Sequence, residues 1–147
     1  MDHVVQMVTV GPRSTVVVAA TTTWQVFPSL WKGLLDEVWA CLRAQGIDRG
    51  CRNVMLYRDD VPNVEVGVER HGTTRVSGRV VTSTLPAGTV AMTVHRGGYE
   101  GLGSAHRAVA RWCAEHGRQP AGPRWEVYGP HRADPAELET EVYHLLA

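Results

Sequence analysis

Residues 123–146 read PRWEVYGPHRADPAELETEVYHLL, and an earlier stretch, RNVMLYRDDVPNVEVGVE at 52–69, has the same plan. Both carry two runs of alternating, β-branched and aromatic residues, the pattern of paired strands separated by a polar turn. Tyr57 matches Tyr128, and Glu65-Val66 matches Glu141-Val142. Upstream, each pair is preceded by a glycine, Gly46 or Gly117, and before that by a helical segment, Pro28 to Gln45 or Glu100 to His116. One helix aligns Trp31, Leu34 or Leu35, Val38 and Leu42 on a stripe; the other aligns Leu102, Ala105, Val109, Trp112 or Cys113, and His116. The two glycines suit the left-handed position that follows a helix, and Pro28 suits a first turn. Further upstream again, RSTVVVAATTTW and AGTVAMTVHRGGY read as strands, with Thr15-Val16 set against Thr89-Val90.

The chain is therefore one pattern written twice, with half-repeats at 1–72 and 79–147 joined by the polar stretch HGTTRVSGR. Each half reads strand, helix, strand, strand. The expected fold is one α+β domain over residues 1–147: two βαββ repeats related by a pseudo-twofold, an antiparallel or mixed sheet, and both helices on one face. The 147 residues, 44% of them hydrophobic and 20% charged, are enough for a real core.

Charge excludes some classes of partner. Fifteen basic residues balance fifteen acidic ones without a dense Lys/Arg cluster, so nucleic acid and anionic membrane are not expected partners. No apolar run reaches the length of a membrane span, and MDHVVQMVTV lacks the basic start of a signal peptide. Cys41, Cys51 and Cys113, an odd count without C-x-x-C spacing, are expected as reduced thiols of a cytoplasmic protein. The seven histidines form no ligand motif, so neither metal nor cofactor is expected. GGYEGLG lacks the lysine of a phosphate loop, and Ser104 lacks a nucleophile elbow.

Period-two phasing assigns the faces. If Thr140 and Val142 meet the helices, Glu139, Glu141 and Tyr143 point the other way, as do Glu65 and Gly67 beside Val64, Val66 and Val68. Taking Val54, Leu56, Trp125, Val127, Val90, Met92 and Val94 as the helix-side residues sends Met55, Tyr57, Glu126, Tyr128, Ala91, Thr93 and His95 to the helix-free face as well. That face is then either a solvated sheet surface or a ligand cleft with aromatic walls and acids. Trp24 and Phe27, near one end of a strand, and Trp39 are aromatic residues available to clamp a flat guest, with Trp24 alternatively a structural plug.

The pieces HRGGYE, ARWCAEHG, QPAGPRWEVYG, ADPAELE and TEVY, in that order, resemble the GyrI-like small-molecule-binding domain, also the effector-binding module of Rob-type and MerR-type multidrug regulators. Gly98 stands where that family usually has proline, and VYHLLA lacks its final proline. The resemblance implies a ligand cleft across the pseudo-dyad, on the face away from the helices, with Glu141 as its central acid. Tyr128 and Tyr143 carry over with it, as do His95 and Tyr99; Glu65 and Tyr57 are the first-half counterparts. No helix-turn-helix is visible before the first strand, so a stand-alone domain is expected, as monomer or homodimer.

The expected function is binding of hydrophobic, cationic or polycyclic small organic ligands, in protection against drugs or toxins. The alternative, implied by stand-alone members of the same family, is a hydrolase that opens the cyclopropane of DNA-alkylating natural products. In it Glu141 is the general base and Tyr128 or Tyr143 the donor to the developing oxyanion. A protein-binding module that inhibits a partner such as gyrase is a third class.

Overall fold

A computed structural model describes residues 3–147. Eight strands and two helices follow in the order β1 (Gln6–Val10), β2 (Arg13–Thr21), α1 (Phe27–Arg43), β3 (Arg52–Tyr57), β4 (Asn63–Glu69), β5 (Val80–Leu85), β6 (Gly88–Arg96), α2 (Leu102–Glu115), β7 (Pro120–Tyr128) and β8 (Glu139–Leu146). All pairings are antiparallel, in the single sheet order β1-β6-β8-β7-β3-β4-β2-β5.

The repeat is present, with one strand more per half than the sequence suggested. β1 and β5 precede the expected strands, and each crosses to the far side of the sheet, β1 onto β6 and β5 onto β2. Gln6–Val10 falls within MDHVVQMVTV, ahead of the first expected strand, and Val80–Leu85 begins just after the polar connection.

The helices end where expected, at Gly46 with φ 81° and Gly117 with φ 63°. In both, a backbone N–H beyond the glycine returns to the last turn: Ile47 to Leu42 at 2.9 Å and Arg118 to Cys113 at 2.8 Å. α1 buries Leu34, Val38 and Leu42; α2 buries Ala105, Val109 and Cys113. Each large aliphatic side chain so buried contributes about 1.5–3 kcal/mol of transfer free energy.

Register locates the pseudo-dyad. Met55 pairs with Glu126, Val54 with Val127 and Leu56 with Trp125. These pairs exchange under the same spacing that relates Gly46 to Gly117 and Tyr57 to Tyr128. The axis therefore passes between Met55 and Glu126, which are each other's repeat equivalents. In the outer strands, Val18 opposes Val66 while Thr93 opposes Val142, so Val18 corresponds to Thr93. The match of Thr15-Val16 to Thr89-Val90 is therefore one residue out, and the partner of Val16 is Ala91.

Both helices lie on one face, as expected: α1 packs on β2, β4 and β5, and α2 on β6 and β8. The helix-free face is not open. In a flat sheet β1 and β2 would lie six strand spacings apart, about 29 Å. Yet only Gly11 and Pro12 join them, a link from Val10 to Arg13 that reaches about 11 Å at most. Pro86 and Ala87 impose the same limit between β5 and β6. The sheet must curl, and its concave side fills with Val54, Leu56, Leu85, Val90, Met92, Trp125, Val127 and Tyr143 as one buried cluster.

This reverses several face assignments. Val54, Leu56, Val90, Met92, Trp125 and Val127 belong to the concave core, and period two turns Met55, Tyr57, Glu126, Tyr128, Ala91, Thr93 and His95 toward the helices. The physical reason is that the central strands are buried on both faces. Apolar alternation then shows that a strand has two faces and not which of them meets the helices.

Candidate functional site

Between α1 and α2 the central strands β3 and β7 form the floor of a cavity of about 450 Å³. Phe27, Pro28, Trp31 and Leu35 of α1 make one wall, and Tyr99 and Leu102, at the start of α2, make the other. The floor is Asn53, Met55, Tyr57, Glu126 and Tyr128, with Gly129 and His131 at the rim.

Glu126 sits at the pseudo-dyad and is only 4% exposed. Its Oε1 accepts hydrogen bonds from the Tyr57 hydroxyl at 3.0 Å and the Tyr128 hydroxyl at 2.5 Å. Its Oε2 lies 2.7 Å from His106 Nε2, and His106 Nδ1 lies 2.9 Å from His144 Nε2. Burial first, then the Glu126 carboxylate, push both tyrosine hydroxyls far above the usual phenol range, so they remain donors. Three of the roughly four lone-pair positions of the carboxylate are thus occupied, leaving about one unused. Among the described residues the cavity lining contains no lysine or arginine.

The sequence-derived candidates separate into two groups. Tyr57, Tyr99, Tyr128 and Phe27 line the cavity. Tyr99 meets Tyr128 edge-on at 5.6 Å, and Phe27 meets Tyr57 edge-on at 5.5 Å. Trp24 backs the cavity from outside, 5.3 Å from the Tyr57 ring, with its indole N–H on the Asp60 carbonyl at 3.1 Å and the Arg124 guanidinium 5.1 Å above it. Trp39 packs into the α1 core and donates to Asn53 at 2.9 Å, so it supports the floor without reaching the guest space. His95 faces α2 but lies elsewhere, between His3 at 3.0 Å and the Gly98 carbonyl at 2.8 Å.

Glu141, Tyr143 and Glu65 lie on the concave face. Glu141 accepts from Arg52 at 3.1 Å and from the Tyr143 hydroxyl at 2.7 Å; Glu65 is ion-paired with Arg58. Tyr143 is buried and stacked on Trp125 at 5.4 Å, and its hydroxyl is pushed up to about 12, by burial first and by Glu141 next. The structure thus brings Tyr57, Tyr99, Tyr128 and Phe27 together and holds Glu141 apart from them. Cys41 and Cys51 are half-buried and Cys113 buried, all three as free thiols.

Glu126, in the cavity floor, and its partner His106 are not among the sequence-derived candidates. Glu126 was legible as an acid two residues from Tyr128 inside a strand. His106 could have been found only from its repeat position, equivalent to Leu35 on the other helix.

His144 carries a consequence for stability. Burial, followed by His106 and Arg124, holds its imidazole down at about 3, against about 6.5 for a free histidine. The unfolded chain takes up this proton first as pH falls. The stabilisation is therefore complete above about pH 6.5 and is lost progressively toward pH 3. Between pH 7 and 5 the loss from this one group is about 2 kcal/mol. Urea unfolding of His144→Gln across that range should show a correspondingly shallower pH dependence; an unchanged dependence would contradict a neutral buried His144.

A single curled sheet with two helices flanking an aromatic cavity and one buried acid at its dyad is a small-molecule-binding module of α+β type. The sequence profile of the GyrI-like small molecule binding domain matches residues 3–146, and the chain belongs to that family. No curated protein sequence matches the chain. The fold is shared with the EcmrR C-terminal domain, at TM-score 0.73 and 18% identity over 100% of this chain and 99% of that one. It is shared with SAV2435 bound to tetraphenylphosphonium, at TM-score 0.66 and 14% identity over 100% and 94%. It also recurs in a hydrolase from Listeria innocua, at TM-score 0.63 and 10% identity over 99% and 93%. Among the described residues no helix is long and apolar enough to cross a membrane, and no group of His, Cys, Asp and Glu is arranged to hold a metal ion.

Proposed function

We propose that the protein binds hydrophobic organic cations in the cavity between α1 and α2, with Glu126 as the counter-charge, in a protective, ligand-sequestering role. The observation that carries this reading is the pairing of acids. Glu65, Glu69 and Glu141 each have an arginine partner, whereas Glu126 has tyrosine hydroxyls and an imidazole. A buried carboxylate without a fixed cation gains most from a guest that brings one. Aromatic walls add cation–π terms of about 0.5–2 kcal/mol each. That a neighbour of the same fold is bound to tetraphenylphosphonium supports the choice of ligand class.

Trp31, in the cavity wall, provides the readout. Tetraphenylphosphonium is expected to quench tryptophan fluorescence saturably, and a neutral triarylphosphine oxide of similar shape to bind at least about tenfold more weakly. Equal affinity for the two would remove the counter-charge from the account.

Hydrolysis of a cyclopropane-bearing alkylator is the second reading, supported by the hydrolase among the fold neighbours. Here Glu126, not Glu141, is the acid adjoining the cavity, and its remaining lone-pair position is enough to orient one water. The three hydrogen bonds it already accepts favour anchoring over proton abstraction. Alkylator recovered without a water adduct by mass spectrometry would eliminate the hydrolytic reading and leave the binding one intact.

A further inference from the structure

Register makes the two halves directly comparable, and they differ at one set of three positions. Met55, Leu35 and Val68 are the equivalents of Glu126, His106 and His144. In the first half the three positions are apolar, so the fold itself does not demand polar groups there. In the second half they form a chain: Glu126 Oε2 to His106 Nε2 at 2.7 Å, and His106 Nδ1 to His144 Nε2 at 2.9 Å.

This chain links two spaces. Glu126 faces the cavity between the helices. His106 and His144 also line a separate cleft of about 480 Å³, bounded by Asp60, Arg107, Pro123 and Arg124. Resting on the cation-binding reading above, we propose that His106 and His144 make Glu126 a proton-for-cation exchange site, in which an arriving organic cation expels one proton through the second cleft.

Two proton arrangements satisfy every hydrogen bond of the chain. In the first, His106 is an imidazolium; its Nε2–H donates to Glu126 and its Nδ1–H donates to His144 Nε2. The carboxylate is then neutralised from within. In the second, the Nδ1 proton has moved to His144 Nε2, which now donates back to His106, while the proton on the other nitrogen of His144 has left to water. One proton is released, no hydrogen bond is lost, and the Glu126 charge is free for an external cation. His144 suits the part of relay because burial keeps it neutral, at about 3.

The charged and titratable surroundings fit this assignment. Tyr57 of β3 stands edge-on to His106 at 6.4 Å and donates to Glu126. Tyr128 of β7 donates to the same oxygen. Arg124 of β7, beside the second cleft, is tied to Asp60 at 2.9 Å, and Arg107 of α2 is directed at Ser104 at 3.1 Å. Glu126 is thus the carboxylate in direct contact with the imidazole pair, on the cavity side.

Binding of tetraphenylphosphonium to the whole chain, measured by titration calorimetry in buffers of different ionisation enthalpy, tests the exchange. The expected result is release of up to one proton per cation and an affinity that rises by about tenfold per pH unit, then levels once His106 is already neutral in the free protein. In His106→Gln, whose amide still donates to Glu126 but does not titrate, affinity should be flat with pH and the buffer dependence absent. Wild-type binding that is strong but independent of pH and buffer would overturn the exchange and leave the cavity as a binding site. A slope that survives in His106→Gln would assign the proton to Glu126 itself and equally overturn it. Failure to bind at any pH would remove the binding reading and the exchange together.

Discussion

Glu126→Gln is expected to lower the affinity for tetraphenylphosphonium by about 30- to 1,000-fold, the equivalent of about 2–4 kcal/mol for a desolvated charge pair. Glutamine keeps the shape of the side chain and can still accept from Tyr57 and Tyr128, so the floor of the cavity is preserved. What it lacks is the negative charge. In a site 4% exposed that charge is poorly screened, so its interaction with a cation exceeds what a surface acid would give. Glu141→Gln should change the affinity by less than about twofold, because its carboxylate is satisfied by Arg52 and Tyr143 on the other face of the sheet. Circular dichroism of both variants controls for folding. The opposite outcome, with Glu141→Gln losing binding and Glu126→Gln retaining it, would return the central acid to the concave face.

The order of both helices and of six of the eight strands was legible in the sequence because local signals carry it. Gly46 and Gly117 ended the helices, β-branched alternation marked the strands, and the recurrence of Tyr57 at Tyr128 set the repeat. Which face of the sheet meets the helices was not legible, for a reason found in Val54, Leu56, Trp125 and Val127. These residues are as apolar as a helix-facing row, but they fill the concave side that the crossed strands β1 and β5 create. That crossing depends on pairings between residues 86 and 72 positions apart, Gln6 with Met92 and Arg13 with Leu85, which no local window contains.

The candidate site suffered from the same ambiguity. Met55 with Tyr57, and Glu126 with Tyr128, were correctly paired by two-residue periodicity within β3 and within β7, and the recurrence of Tyr57 at Tyr128 gave these two repeat-equivalent strands one phase. Their grouping with Glu65 and Glu141 failed because it required the phase between neighbouring strands, which register alone supplies. The dyad then shows what the repeat signal by itself did not. The acid that adjoins the cavity is the one whose repeat partner is a methionine, not the one whose partner is another glutamate.

Trp125→Ala is expected to destabilise the protein by about 3–5 kcal/mol, the range for truncating a fully buried tryptophan. Trp125 is 1% exposed, stacked on Tyr143, and placed among Val54, Leu56 and Val127 at the centre of the concave cluster. Were the helix-free face a ligand cleft, the same substitution would cost little stability and would abolish binding. A curled, filled sheet predicts the reverse in urea unfolding and ligand titration: a large loss of stability, and near-normal affinity in the fraction that remains folded. The affinity should persist because Trp125 and Glu126 are sequence neighbours on opposite faces, so the cavity keeps its carboxylate, both tyrosines and the Phe27–Trp31 wall. Loss of binding at unchanged stability would mean that the concave side is the one that receives the guest.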